Sequence, residues 1–239
     1  MGIKVILLLL LLLCSSLFSS QSLKFTYVQN SIMAKITQEV LVEAYGRLGI
    51  DVSFSSFPAK RSIFIANEGN KYDGEIHRIG GIEKKYTNLL KVPVPIYLLE
   101  GIVISNELSF EVNGWESLKT YNIGVRRGVV FSVKGTQGMK RTILNSNEHL
   151  FQMLSSKRLD LIVLSRINSY KYLLDEKNKN LKVLNPPVQV YKMYHYLHKK
   201  NAHILPIISI VLKEMQKERL IQKIKENFLK EEISNRMVD

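Results

Sequence analysis

Strand and helix signals alternate along this chain from Leu23 to its last helix, and that alternation restricts the fold more than any other feature. "LKFTYV" (23–28) is β-rich. The stretch 31–49 carries Ile32, Ile36, Val40 and Leu41 at helical spacing, with Ser31 placed to cap a helix and Gly49 to stop it. "IDVSFSSF" (50–57) alternates as a strand does, Pro58 then opens a short helix closed by Gly69, and "YDGEI" is the next strand or strand end. "NLLKVPVPIY" and "LLEGIVIS" read as two further strands. A β-α-β-α-β order favours a mainly parallel sheet flanked by helices, an α/β fold.

The middle of the chain repeats the theme. "TYNIGVRRG" (120–128) is a strand running into a glycine turn, and 147–159 reads as a helix. "DLIVLS" (160–165) has the continuous apolar character of a strand buried on both faces. A helix over "RINSYKYLLDEK", a strand over "LKVLNPPV" and an alternating strand over 190–200 follow, with Tyr191, Met193 and His195 on one face. From Ile204 to Ile233 the tail is predicted helical, with Pro206 in its first turn. No Gly/Ser-rich or Pro-rich linker separates the two α/β halves, so a continuous, crossed-over architecture is expected.

The amino terminus has a separate character. Lys4, the apolar run Val5–Leu13 and the polar stretch ending at Ser22 have the order of a cleaved secretory signal, and the apolar run is shorter than a membrane span. Cleavage is expected after Ser22, with Ser20 nearly equivalent. Leu13 precedes Cys14 where a lipoprotein signal needs a small residue, so Cys14, the single cysteine, is expected to leave with the leader. That would remove disulfides, thiolate chemistry and cysteine zinc sites from the mature chain.

The formal net charge is +13, but lysines and arginines are dispersed and often stand beside carboxylates, as in "KEMQKERLIQKIKENFLKEE". No zinc-finger spacing or basic zipper accompanies them, so nucleic-acid binding is not expected. The excess charge instead favours an anionic ligand or surface. His149, His195, His198 and His203 lack metal-ligand spacing, and neither a metal nor a cofactor is expected.

Chemistry-bearing residues concentrate in "NKYDGEIHRI" (70–79). In a straight strand Asp73, Glu75 and His77 would share one face, about 7 Å apart. That spacing would suit a metal or a carboxylate pair, although oxygen-rich metal sites draw on several segments. A hydrolytic pair must straddle the bond it cleaves, and near neighbours in sequence seldom do. No GxSxG elbow is present.

The order of "LKFTYV", "YGRLGIDVSF", "PAKRSIFIANEGNKYDGEI", "KVPVPIYLLEGIVIS", "WESLKTYNIGVRRG", "LSSKRLDLIVLS" and the terminal amphipathic helices resembles the periplasmic solute-binding proteins of family 3. Pro58, Arg61, Asn67, Gly69, Asp73 and Gly74 in register are its most family-like piece. The resemblance implies a type 2, two-lobed fold, each lobe a mainly parallel sheet flanked by helices, joined by two crossing strands with the solute in the cleft between. Lobe one would take residues 23–105 and 197–239, and lobe two residues 106–196. "LEGIVIS" would carry the chain across and "YKMYHYLHKK" would bring it back. Such lobes close around their ligand by hinge motion.

Two departures bear on the ligand. Amino-acid-binding members place Ser or Thr after the glycine that here is Gly128, and this chain has Val129. They also place an arginine fork just before the strand that here begins "LLKVPVPIY", where this chain offers Lys84, Lys85 and Tyr86. Arg61, Arg78 and Arg126 are the remaining candidates to grip an anion. Asp73 and Glu75 would accept from donors on the solute, Gly128 would form the lobe-two turn, and Tyr27, Tyr97 and Trp115 could wall the pocket. The competing reading pairs Arg61 with Asp73 or Glu75 inside lobe one, leaving Arg78 either to face the solute or to neutralise the two acids.

The resemblance implies a monomeric periplasmic binder of a small polar or anionic solute, without chemistry, delivering it to an ABC-type permease. Two alternatives stay open: an enzyme on the same scaffold using Asp73, Glu75 or His77 as acid or base, and a sensory module that signals through a membrane receptor.

Overall fold

The computed structural model describes residues 22–29 and 31–234. The proposed signal up to Gln21 lies outside them, and Ser22 is the first residue of strand β1 (Ser22–Val28). Helix α1 (Ile32–Gly46) begins as its sequence dictates: the Ser31 hydroxyl accepts the Ala34 amide at 3.2 Å. After β2 (Asp51–Phe57), Pro58 precedes α2 (Ala59–Glu68), and Gly69 ends it in the left-handed region at φ 71°. Next come β3 (Gly74–Ile79), β4 (Leu89–Ser105), β5 (Ile123–Arg126), α3 (Val130–Gly135), β6 (Arg141–Leu144), α4 (Asn147–Ser155), β7 (Leu161–Ser165) and α5 (Arg166–Leu173). The chain closes with β8 (Lys182–His198), α6 (Leu205–Lys217) and α7 (Leu220–Ser234).

Eight strands form one sheet in the order β2-β1-β3-β8-β4-β7-β5-β6. The pairs β1–β2, β1–β3, β5–β6 and β5–β7 are parallel, whereas β3–β8, β4–β7 and β4–β8 are antiparallel. Sequence reasoning divides β4 and β8 into two strands each; in the fold each is a single strand of 17 residues. At about 3.3 Å per residue such a strand spans roughly 50 Å, enough to serve two lobes. Register shifts between Lys91 and Tyr97 and between Gly101 and Val103 accommodate the prolines, so the ladder is interrupted without being lost.

The cores follow the same division. Val92, Val94 and Ile96 of β4 pack with Phe25, Leu41, Tyr45 and Leu212. Farther along the same strand Ile102 and Ile104 pack with Leu150, Leu154 and Ile162. Val103 joins Val112, Ile123, Val163 and Val188. A smaller cluster lies between the halves, where Ile36 of α1, Tyr97 of β4, Ile167 of α5, Met193 of β8 and Phe228 of α7 meet. The helical tail is divided at Arg219, whose φ of 57° is left-handed, and α7 packs against α6 and α1.

Candidate functional site

The strand directions locate a cleft. β4 runs from the first core to the second and is parallel to β3, and hence to β1 and β2, so their carboxyl ends point toward the second half. β7 is antiparallel to β4 and parallel to β5, so the carboxyl ends of β5, β6 and β7 point back. Two sets of strand ends therefore face each other across the hinge, the placement in which open α/β sheets bind ligands.

On the first edge, β2 ends at Phe57, and the Arg61 guanidinium lies 5.8 Å from the centre of its ring. Arg61 is exposed and makes no ion pair with Asp73 or Glu75, contrary to the pairing the sequence offered. Tyr27, next to the end of β1, is half-buried against the first core. Arg78 reaches the same edge, where its Nη2 donates to the Ala59 carbonyl at 2.9 Å. The same nitrogen stands 2.9 Å from Glu75 Oε1.

That ion pair depends on a bulge. Glu75 lies opposite Tyr196 and Arg78 opposite Tyr194, so Ile76 and His77 together oppose His195. The extra residue reverses the alternation and puts Glu75 and Arg78 on one face, where a straight strand would have kept them apart. Asp73, Glu75 and His77 accordingly do not form a common acid/base face. His195 holds the bulge: its Nδ1 donates to the Glu75 carbonyl at 2.9 Å and its Nε2 accepts from the Tyr45 hydroxyl at 2.9 Å. Burial lowers the pKa of His195 to about 4, and burial, Arg78 and His195 lower that of His77 to about 3, so both rings are neutral.

Glu75 is fully buried. Its Oε2 accepts from Ser62 at 2.6 Å and from Thr26, binding β3 to α2 and β1. Burial pushes its carboxyl up, against the lowering pull of Arg78, Ser62 and Thr26. Asp73 is elsewhere, at the amino end of β3 and away from the strand ends that define the cleft. It accepts from the Lys24 amide at 2.8 Å and Asn201 Nδ2 at 2.9 Å, and pairs with Lys200 at 3.0 Å. The acids of "NKYDGEIHRI" are thus committed to protein partners.

On the facing edge, β5 ends at Arg126, half-buried, and the chain turns through Gly128 at φ 84° into α3. Two further residues on this side carry no signal in the sequence. Ser165, at the end of β7, is buried with its Oγ unpartnered, and Asn147, opening α4, is buried with its Oδ1 unpartnered. An unpartnered buried polar atom beside a helix start is the signal that marks them, and it exists only in three dimensions. Phe131, from α3, packs against Gly101 of β4 and lies 5.7 Å from the ring of Tyr191, between the two edges.

Two aromatic candidates are engaged otherwise. Trp115 packs on α3, where a side chain at Gly135 would meet its ring at 2.3 Å. Tyr97 belongs to the interlobe apolar cluster, with Lys225 5.3 Å from its ring centre. Among the described residues no group of three or more His, Cys, Asp or Glu side chains is arranged to hold a metal. No described helix is long and apolar enough to cross a membrane.

The architecture is the two-lobed fold of the periplasmic solute-binding proteins. The chain superposes on the GluR0 ligand-binding core in complex with L-glutamate with a TM-score of 0.68 and 14% identity, over 88% of this chain and 99% of the other. It matches a histidine kinase sensor domain with similarity to periplasmic binding proteins at a TM-score of 0.64 and 12% identity, covering 88% and 96% of the two chains. The substrate-binding protein of an amino acid ABC transporter gives a TM-score of 0.58 and 17% identity, covering 87% and 99%. By sequence it is 22% identical over 206 residues to an uncharacterized protein of Shewanella oneidensis, covering 83% of this chain and 77% of the relative. No model of a known protein family matches the chain.

Proposed function

We propose that this chain is an exported, periplasmic solute-binding protein that closes two lobes on a small polar or anionic solute and performs no chemistry on it. The observation that carries this reading is the pair of facing strand edges, with Arg61 and Arg78 on one and Arg126 on the other. Guanidinium groups suit carboxylate or phosphate, since their planar forks donate two parallel hydrogen bonds. Gly128, Ser165 and Asn147 add a turn and polar groups to the lobe-two side, and Tyr27 a half-buried ring to the lobe-one side. Asp73, Glu75, Tyr97 and Trp115 are assigned to the framework, because their contacts are internal to it.

The hinge in this reading runs through Tyr97–Gly101 of β4 and Gln189–Met193 of β8, with lobe one comprising residues 22–96 and 194–234. This boundary lies earlier than the one the resemblance implies, at residue 96 instead of 105 in β4 and at 194 instead of 197 in β8, and the split of β4 side chains between the two cores supports it. The likeness to an amino acid ABC transporter protein supports an ABC-type permease as partner; in this reading the chain acts as a monomer. The likeness to a histidine kinase sensor domain supports a second reading, in which the closed form is read by a membrane receptor.

Calorimetry against a library of organic acids, phosphorylated metabolites and amino acids tests the binding function. A saturable ligand whose affinity is lost in Arg126→Ala supports it; no saturable ligand in the library overturns it. A pulldown from membranes with the loaded protein separates permease from receptor.

A further inference from the structure

The hinge has a second recess, away from the facing strand edges. The helix breaks at Arg219, and a trough of about 550 Å³ lies between the start of α7 and β4. Its floor is β4 itself. A smaller recess of about 90 Å³ continues it toward α5, sharing Tyr97, Leu98, Glu100 and Lys225 with the trough. Gln216 fixes one end by donating from Nε2 to the Pro95 carbonyl at 2.6 Å.

Lys192, Arg219 and Lys225 converge on this trough. Among the described residues none of the three has a carboxylate partner within 4.0 Å, although ten ion pairs occupy other lysines and arginines of the chain. The one acid lining the trough, Glu100, is engaged by Arg166. Lys225 instead sits 5.3 Å from the ring centre of Tyr97, a contact that leaves its ammonium free to accept an anion. Between these cations the walls are apolar: Ile221 lines the trough, and Leu98 is 49% exposed into it or beside it. Burial, followed by the charge of Glu100, holds the Tyr97 phenol protonated, so the phenol adds no negative charge to that of Glu100, which Arg166 offsets.

We infer that this trough is a second ligand site, for a small organic anion with an apolar body. Its head group would pair with Lys225, Arg219 and Lys192, and its body would cover Leu98 and Ile221. Three unneutralised cations beside a concave apolar wall match the two halves of such a molecule, and neither an inorganic ion nor a neutral lipid would use both. An occupant would touch the hinge strand and the terminal helix together.

Titration calorimetry of the full chain at low ionic strength, with octanoate as probe and octanol and inorganic phosphate as controls, tests the site. Octanoate is expected to bind with one-to-one stoichiometry, and both controls to bind at least about tenfold more weakly. Lys225→Gln and Lys192→Gln, at half-buried and exposed positions, should each weaken octanoate by about tenfold, the loss of one charge-assisted contact. Lys213→Gln, which removes the same charge from an exposed position of α6 outside the trough, should leave it unchanged, as should the cleft variant Arg126→Ala. The inference is overturned by absence of saturable octanoate binding, by equal weakening in Lys213→Gln, or by loss in Arg126→Ala. Phosphate binding as tightly as octanoate would likewise reject the apolar half of the site.

Discussion

Glu75 and Arg78 are three residues apart, and in a regular strand their side chains would point to opposite faces. The bulge opposite His195 brings them together, and the pair then carries a large energetic asymmetry. Removing Arg78 strands a buried carboxylate, whereas Glu75→Gln keeps an acceptor for Thr26 and Ser62. We expect Arg78→Ala to lower unfolding free energy by about 3 kcal/mol, more than Glu75→Gln does, in urea denaturation. If Arg78 also holds the solute, Arg78→Lys will retain most of the stability and still lose affinity, because the lysine point charge lacks the fork.

His77 and His195 make a pH prediction. Their folded pKa values, about 3 and about 4, lie below the unfolded value of about 6.5, so the unfolded chain binds more protons between these limits. The stability they contribute is therefore complete above about pH 6.5 and is lost as pH falls toward 4, by up to about 1.4 kcal/mol per histidine per pH unit. Glu75 works in the other direction, since its raised pKa favours the fold at acid pH and costs stability as pH rises through that value. The contribution of His77 and His195 therefore falls as pH drops from 6.5 toward 5. Thermal melts across that range should show it, and His77→Met should make the decline shallower.

At the scale of elements, "YDGEI" owes its glycine to close approach. A side chain at Gly74 would stand 2.0 Å from the Tyr196 carbonyl of β8, a backbone atom that cannot swing aside. Gly74→Ala should cost about 2 kcal/mol or more and reduce the β3–β8 pairing, measurable by hydrogen exchange of the Leu197 amide. Elements with local signals were readable from sequence: Ser31 as cap, Pro58 and Gly69 bracketing α2, and the apolar run of β7. Short α3 and β6 were not, since six and four residues carry too little periodicity to stand out. The unity of β4 and β8 was also hidden, because Pro93, Pro95, Pro186 and Pro187 cannot donate to a ladder and the register shifts that carry the pairing past them form only with the partner strand.

For the whole molecule, the cluster of Ile36, Tyr97, Ile167, Met193 and Phe228 packs residues of both halves together, and the proposed binding function requires the facing strand edges to close. A solute found in the calorimetric search should therefore reduce the radius of gyration in small-angle scattering, and an unchanged radius at saturation would argue against hinge closure. The alternation of strands and helices determined the α/β class and the crossed-over connectivity, because local periodicity and the absence of a linker are properties of the sequence itself. The sequence also placed Arg126 at a strand end and Arg61 in the short helix after Pro58. Which acids and arginines face each other was decided only in three dimensions. One bulge changes the face on which Glu75 and Arg78 meet, strand direction puts Asp73 at the end away from the cleft, and the trough joins residues more than a hundred positions apart.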